Sequence, residues 1–379
     1  MNTLITNIGQ LVTPQGREPL SGPGMSVIAV EERVEVLISG GRIASIGKAH
    51  SRDGIDLIID ADGGVVLPGL VDPHVHALLP PGIPERRRLG EGELGRRLAR
   101  GIRRAIGMGT TTIEVKCGSD VTPGDGIPLL KLIQELKGTA PIRLLPTFLG
   151  SLERCEGTIR EDRVSALISE VIPTLSRRRL VQFCDVVCGD GGYTEAETRT
   201  ILRAARGASL RAKIHIAGTD REIGRLGAEL EVTSIDHLFA PAKRDIDELK
   251  RAGVIPVLLP GTAFLLDRPY PEARRMIDSG LPIAIGTDSG LGGYGVGSMW
   301  SVISLAVKRL DMSLEEGISA ATLNGAAAVD LAGEIGSIEP GKLADLVILD
   351  IDDYREIGDF IGLNPVKKVI FEGSEVLPG

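Results

Sequence analysis

The stretch VDPHVH, residues 71–76, ends an apolar and glycine-rich run that begins at Gly63. A short apolar run of this kind indicates a buried β-strand. Side chains alternate between the two faces of a strand, so His74 and His76 point in the same direction. Two imidazoles on one face can bind one metal ion together. We therefore place a candidate metal site at the end of this strand.

The composition limits the size of the domains, the kinds of partner and the location that we expect for this protein. The chain has 379 residues, of which 42% are hydrophobic, and this suits one large domain with a smaller one. Its net charge is 43 − 51 = −8 without a recurring basic patch, so nucleic acid is not an expected partner. The N-terminus does not resemble a signal peptide, and no apolar run reaches the ~20 residues of a membrane span. Four cysteines without a CxxC pair indicate buried thiols, and we expect a cytoplasmic protein.

The middle of the chain predicts a barrel. From Leu67 to about residue 335, strand-like runs alternate with amphipathic helical stretches. Eight such strand–helix units favour a (β/α)₈ TIM-type barrel. A doubly wound sheet is the competing fold, but no GxGxxG follows the first strand of this region. The predicted strands end near His76, Lys116, Gly150, Cys188, His215, His237, Pro260 and Asp288.

Both ends of the chain contain short strands rich in β-branched residues. Gly40-Gly41 predicts a hairpin turn between two of the N-terminal strands. The strand pattern returns after Ile338, so we expect the two termini to form one discontinuous β unit. Its predicted residues are 1–66 and 336–379, and the barrel domain is predicted to span residues 67–335.

Four of the five histidines lie at the ends of predicted barrel strands, where barrel enzymes build their sites. They are His74, His76, His215 and His237. Any one of them alone is more simply interpreted as a hydrogen-bonded core imidazole. Together with Asp288 at the end of the eighth strand, they favour a catalytic zinc or iron(II) site.

Four side chains in this region have open interpretations. Asp288 could cap the next helix, or it could contact the metal and move protons. His237 could be another ligand, or it could act on a substrate carbonyl. Glu114 and Lys116 share a strand face and could pair with each other. Lys116 could instead bind substrate.

The sequence resembles the amidohydrolase superfamily, and within it the imidazolonepropionase branch. The resemblance depends on LPGLVDPHVH (67–76) and GSIEPGKLADLVI (336–348), with TTTIEVK (110–116), LLPGTAF (258–264), TLNGAAA (322–328) and GLNPV (362–366). It implies a (β/α)₈ barrel with a small β-sandwich domain built from both termini. It also implies one divalent metal ion, zinc or iron, held by His74, His76, His215 and Asp288. The fourth strand, FCDVVC (183–188), lacks the metal-bridging lysine of many relatives, and a homodimer is possible.

The pocket positions depart from the branch. Residues 117–120 read CGSD where a Ser-Gly-Tyr-Gly is usual, and no histidine follows FLG (148–150). Gly218 stands where an acid or amide is expected, and the arginine expected after the HxH is displaced, with Arg86 to Arg88 nearest. We therefore expect a small, cyclic, carboxylated substrate that differs from imidazolonepropionate.

The resulting hypothesis is hydrolysis of a C–N bond, not a peptide bond, in a small cyclic amide. Hydroxide from metal-bound water would attack the carbonyl carbon, and Asp288 would shuttle the proton to the leaving nitrogen. His237 would stabilise the developing oxyanion. Lys116 or Arg86 would bind the substrate carboxylate. The alternatives are a ring aminohydrolase (deaminase) that releases ammonia and a non-catalytic scaffold.

Overall fold

The computed structural model describes residues 1–77, 91–118, 126–152, 160–218 and 223–376. These residues form sheets of nine, six and four strands. The strands are β1 Asn2–Thr6, β2 Gln10–Pro14, β3 Ile28–Glu32, β4 Glu35–Ser39, β5 Arg42–Gly47, β6 Leu57–Asp60, β7 Val65–Pro68, β8 Leu70–His76, β9 Thr110–Cys117, β10 Arg143–Gly150, β11 Phe183–Gly189, β12 Arg211–Ala217, β13 Ser234–Asp236, β14 Ile255–Leu258, β15 Ala284–Ile285, β16 Ser289–Gly290, β17 Leu346–Leu349, β18 Val366–Phe371 and β19 Ser374–Val376.

The nine-stranded sheet is the predicted barrel. Its order is β15-β14-β13-β12-β11-β10-β9-β8-β16, and all of its pairs are parallel. The short strands β15 and β16 are two parts of the eighth barrel strand. β15 pairs with β14 and β16 pairs with β8, so they close the ring. The predicted (β/α)₈ fold is confirmed.

Helices alternate with the barrel strands along the chain. They are α1 Glu91–Gly107, α2 Gly126–Lys137, α3 Arg160–Ala166, α4 Ile172–Arg177, α5 Glu195–Gly207, α6 Ile223–Glu229, α7 Lys243–Ala252, α8 Pro260–Leu265, α9 Ala273–Asp278, α10 Met299–Arg309, α11 Leu314–Ala321 and α12 Leu323–Ala328. A π-helical turn, Leu167–Val171, joins α3 to α4, and 3₁₀ turns span Gly22–Ser26 and Tyr354–Asp359.

Strand β9 shows how the sequence builds the barrel wall. All eight of its residues are buried. Ile113 and Val115 belong to the main hydrophobic core, which also includes side chains of the surrounding helices. The alternating residues Glu114 and Lys116 point to the barrel interior instead, as strand periodicity requires. A strand buried on both sides can thus carry charges only where other strands supply partners.

The two smaller sheets form the predicted β-sandwich. One has the order β5-β4-β1-β6, and the other has the order β19-β18-β17-β7-β2-β3, which combines both termini. A separate core lies between them, with Ile5 and Val36 from the first sheet and Leu11, Ile348 and Ile370 from the second. The predicted hairpin is also present, with the turn between β4 and β5.

The predicted domain boundary between residues 66 and 67 falls inside β7. This strand pairs with β17 and β2, so its ladder belongs to the sandwich. The first barrel strand begins at Leu70. The boundaries themselves stay a prediction.

The structure bears on two expectations from the composition, which concern the cysteines and membrane-spanning helices. Cys117, Cys184 and Cys188 are buried, and Cys155 lies outside the described residues. Within the described part of the chain, no helix has both the length and the apolar character that crossing a bilayer requires.

Candidate active site

The side chains predicted to bind a metal meet at the C-terminal end of the barrel. The Nε2 atoms of His74 and His76 lie 3.3 Å apart. Asp288 Oδ1 lies 3.3 Å from Nε2 of His74 and 3.1 Å from Nε2 of His76. The His215 ring lies against them, with its centroid 5.1 Å from that of His74 and 6.1 Å from that of His76. Strands β8, β12 and the eighth barrel strand thus supply one site.

Asp288 occupies the break between β15 and β16. Its φ of 52° is left-handed, a conformation that non-glycine residues rarely adopt. Its backbone N–H donates to the carbonyl oxygen of His74 at 3.0 Å. Thr262 of α8 donates through Oγ1 to Asp288 Oδ2 at 2.5 Å. The carboxylate is therefore held with one oxygen at the histidine pair and the other at Thr262, as is typical of strained functional residues.

His237 lies on the other side of the Asp288 carboxylate. It follows β13 with a left-handed φ of 63°. Its Nε2 lies 3.7 Å from Asp288 Oδ2, and its ring centroid lies 4.5 Å from that of His215. Its side chain remains 23% exposed, whereas His74 is fully buried. His237 thus lies just after β13 and faces the accessible part of the site.

Asp236, which the sequence analysis did not single out, stands directly behind His74. Its Oδ2 lies 2.8 Å from His74 Nδ1, and both side chains are fully buried. When Nδ1 of a neutral imidazole donates a hydrogen bond, Nε2 presents its lone pair. When His74 is neutral, as a metal ligand must be, Asp236 therefore directs its Nε2 lone pair towards His76 and Asp288. Strand parity could have found it, since Ser234 and Asp236 both face the barrel interior.

Asp72 is a second residue that was missed, and it joins β8 to the eighth strand. Its Oδ1 accepts from the backbone N–H of His74 at 3.3 Å and of Thr287 at 3.1 Å. Its Oδ2 accepts from Thr287 Oγ1 at 2.6 Å. Burial raises the pKa of Asp72 to about 6, against these hydrogen bonds. These contacts fix the backbone on both sides of the candidate ligands.

Lys116 lies fully buried beneath the histidines. Its Nζ lies 2.7 Å from Asp185 Oδ2, 2.7 Å from Asp236 Oδ2 and 3.2 Å from Glu114 Oε1. The pairing with Glu114 that the sequence left open is present. Lys213 contacts the other oxygen of Glu114 at 2.5 Å. An ammonium has three donors, and three carboxylates surround this one. A substrate contact of Lys116 stays a prediction.

The charges of the site favour a cation between His74 and Asp288. Burial and Lys116 lower the pKa of His74, but Asp236 and Asp288 raise it more, and the net effect raises it to about 9. Burial also raises the pKa of Asp288, but His237, His74 and His76 lower it to well below its usual value. The arrangement thus attracts positive charge to the point where Nε2 of His74 meets Oδ1 of Asp288.

Only some of the residues predicted to line the pocket belong to the described part of the chain. Arg86 lies outside the described residues. Gly218 follows β12 with a φ of +89°, and a Cβ there would lie 2.4 Å from Asp190 Oδ2. The exposed carboxylate of Asp190, at the end of β11, therefore fills the space that a side chain at 218 would need. At this end of the barrel, the acidic side chain therefore comes from the residue after β11 and not from the residue after β12.

The sequence model of the Amidohydrolase family matches residues 65–376. The chain belongs to the amidohydrolase family. Among curated relatives of this amidohydrolase is the imidazolonepropionase of Caldanaerobacter subterraneus subsp. tengcongensis, 34% identical, with 99% of this chain and 98% of the relative covered. The imidazolonepropionase of Alkaliphilus metalliredigens is also 34% identical, with 100% and 98% covered. The chain is thus a hydrolase of carbon–nitrogen bonds.

Solved structures share the amidohydrolase fold at lower identity. An amidohydrolase from an environmental sample of the Sargasso Sea has a TM-score of 0.75 at 23% identity, with 100% of this chain and 93% of that chain covered. An adenosine deaminase from Xanthomonas campestris with bound Zn has a TM-score of 0.76 at 19% identity, with 98% and 92% covered. At these identities the likeness supports the fold.

Amidohydrolases are metal-dependent, and the residues of this one fit a metal ion. His74, His76 and Asp288 offer three ligand atoms within 4.8 Å of one another, and His74, His215 and His237 form an overlapping group. Nε2 of His74, whose ring Asp236 holds, faces an imidazole nitrogen of His76 and a carboxylate oxygen of Asp288. Without a metal ion, the proton that raises the pKa of His74 to about 9 occupies this position. A divalent cation can displace that proton, because Nε2 of His74 and Oδ1 of Asp288 can both turn a lone pair towards it. Imidazole nitrogen and carboxylate oxygen suit a divalent transition metal.

Proposed function

We propose that this amidohydrolase hydrolyses a C–N bond of a small cyclic amide, with one zinc or iron ion held by His74, His76, His215 and Asp288. The observation that carries the proposal is the position of Asp288. One of its oxygens meets both Nε2 atoms of the histidine pair, and the other lies 3.7 Å from Nε2 of His237. A single carboxylate thus stands between the candidate ligands and the residue proposed to bind the carbonyl oxygen.

Asp288 is the proposed proton shuttle. The bound metal ion supplies an activated water at neutral pH. The pKa of Asp288 lies well below its usual value, so its carboxylate is ionised at neutral pH, and Oδ2 is the oxygen that lies away from the histidine pair and would accept the proton. Thr262 fixes the direction of that oxygen. Oδ2 would take a proton from the water as the water oxygen adds to the carbonyl carbon, and it would return that proton to the nitrogen as the C–N bond breaks.

His237 is the proposed partner of the substrate carbonyl. Burial lowers the pKa of His237 to about 4, so its ring is neutral at pH 7. A neutral imidazole can donate one N–H to an oxygen that becomes negative in the transition state. Its partial exposure and its distance of 3.7 Å from Asp288 Oδ2 support this role.

The proposed substrate class follows from the curated relatives, which are named imidazolonepropionases. We propose a five-membered cyclic amide that carries a carboxylate, with imidazolonepropionate as the reference compound. The changed pocket positions, with Gly218 beside Asp190, favour a different side chain on the ring. A cytoplasmic location and a homodimer stay predictions.

The test is a ring-opening assay of the zinc-loaded and the iron-loaded protein with imidazolonepropionate, hydantoins and lactams that differ in side-chain length. We expect ring opening of at least one cyclic amide without release of ammonia. Ammonia release from an amino-heterocycle in place of ring opening would favour the alternative, a ring aminohydrolase. Absence of turnover across the panel in metal-loaded protein would contradict the proposal.

A further inference from the structure

A second group of donor atoms lies below the proposed catalytic metal. Asp185, His215 and Asp236 each offer one ligand atom, and these atoms lie within 4.8 Å of one another. The fully buried Oδ1 of Asp185 and the buried Nδ1 of His215 have no hydrogen-bond partner among the described residues. Two carboxylates and one imidazole are a suitable donor set for a divalent cation. We refer to these three residues as the lower donor cluster.

The lower donor cluster lies deeper in the barrel than the histidine pair. In the β11–β12 ladder, Val187 is opposite His215, and Asp185 is opposite Lys213. Asp185 therefore belongs to the next layer of inward-facing side chains below His215. His215 belongs both to the lower donor cluster and to the proposed catalytic site, and Asp185 lies in the layer below it.

The ammonium of Lys116 already lies at this cluster. Its Nζ is 2.7 Å from an oxygen of Asp185 and 2.7 Å from an oxygen of Asp236. Burial opposes a charge at this depth, but Asp185, Asp236 and Glu114 keep the pKa of Lys116 well above its usual value. A permanent positive charge thus faces two of the three donor groups.

We propose that the Lys116 ammonium is the built-in cation of the lower donor cluster and that it excludes a second metal ion from Asp185, His215 and Asp236. A lysine supplies its charge from the polypeptide, so this charge does not depend on metal supply. Because Asp236 contacts both Lys116 and His74, the ammonium also holds the carboxylate that orients the upper site. The proposal goes beyond the proposed function because it needs no assumption about the reaction.

The test replaces Lys116 by methionine, which is similar in length and uncharged. Full-length wild type and Lys116→Met are dialysed against Zn²⁺, and bound zinc per chain is measured by elemental analysis. We expect the variant to bind one equivalent more than the wild type. The double variant Lys116→Met/Asp185→Asn should lose that additional equivalent, because it lacks an essential donor.

Lys213→Met is the matched control. Lys213 is also a fully buried lysine that contacts Glu114, but among the described residues no ion pair joins it to Asp185 or Asp236. Its loss should not add a zinc equivalent. Thermal unfolding gives a second measurement, in which added Zn²⁺ should raise the melting temperature of Lys116→Met by more than that of Lys213→Met.

Two outcomes would overturn the proposal. One is a folded Lys116→Met protein that binds the same number of zinc equivalents as the wild type. The other is a Lys116→Met protein that does not fold with or without Zn²⁺ while Lys213→Met folds, because then a metal ion cannot replace the ammonium. The measured quantity is the difference in bound zinc between each variant and the wild type. If the proposed catalytic site does not bind zinc, the wild-type protein itself will lack a stoichiometric equivalent, and that result is separate from the difference.

Discussion

The carboxylate of Asp236 lies directly behind His74, with its Oδ2 2.8 Å from Nδ1 of the imidazole. The same oxygen contacts Lys116 at 2.7 Å. A buried chain of contacts therefore leads from the barrel interior to the first histidine of the HxH. Carboxylates behind metal-binding histidines fix the tautomer and the orientation of the ring.

Asp236→Asn should weaken metal binding. An amide can turn its NH₂ towards Nδ1, and the proton of His74 then moves to Nε2, where the metal ligand is needed. We expect the metal affinity to fall about 10- to 100-fold, measured by competition with a chelator. Asp62→Asn, at an exposed residue, is the control. An unchanged affinity in Asp236→Asn would show that the tautomer is fixed in another way.

Thr262→Val should slow the reaction. It removes the hydroxyl that donates to Asp288 Oδ2, and a hydrogen bond to a charged group contributes about 1.5–3 kcal/mol. If the proton shuttle needs that orientation, kcat should fall roughly 10- to 100-fold. Thr262→Ser keeps the hydroxyl and should restore most of kcat. Equal loss in both variants would assign the effect to packing of the methyl group.

His237→Asn separates the two roles that the sequence left open for this histidine. Asparagine tolerates the left-handed backbone that His237 adopts. As a carbonyl-binding residue, His237 should leave metal content unchanged when it is replaced, and kcat should fall about 10²- to 10³-fold. Loss of the metal with the side chain would make His237 a ligand instead.

Glu197 predicts an acid-sensitive contribution to stability. Two hydrogen bonds from Arg160, each 2.6 Å long, are the main reason that the pKa of Glu197 falls from 4.5 to about 2. A carboxyl group whose folded pKa is depressed stabilises the fold above its unfolded pKa and loses this effect as the pH falls to the folded value. Glu197→Gln should therefore unfold more easily at pH 7, by about 1 kcal/mol, because solvent screens an ion pair at the surface.

The comparison of wild type with Glu197→Gln at acidic pH tests the direction of this pH dependence. The difference in free energy of unfolding between wild type and Glu197→Gln should shrink as the pH falls from about 4.5 towards 2. Denaturant unfolding at several pH values measures it. A difference that is the same at pH 7 and pH 3 would attribute the effect to the helix cap that Glu197 forms with Thr194.

The barrel and the meeting of His74, His76, His215 and Asp288 could be predicted because strand alternation and strand ends are local properties of the sequence. The two-part eighth strand could not, since its break lies at the left-handed Asp288, whose backbone N–H bonds to His74, 214 positions away. Two of the three partners of Lys116, Asp185 and Asp236, were missed for a similar reason, whereas the pairing with Glu114 was one of the predicted alternatives. Parity placed Lys116 inside the barrel, but only the register between β9, β11 and β13 brings Asp185 and Asp236 to its ammonium.

The central claim is that Asp288 both helps to hold the metal and moves the proton. Asp288→Asn is the most direct test, because asparagine keeps the shape of the side chain and tolerates its left-handed backbone. Turnover and metal content are measured on the same preparation after loading with zinc. We predict that turnover per bound metal falls by about 10² to 10⁴. Wild-type turnover in a metal-loaded Asp288→Asn protein would contradict the account.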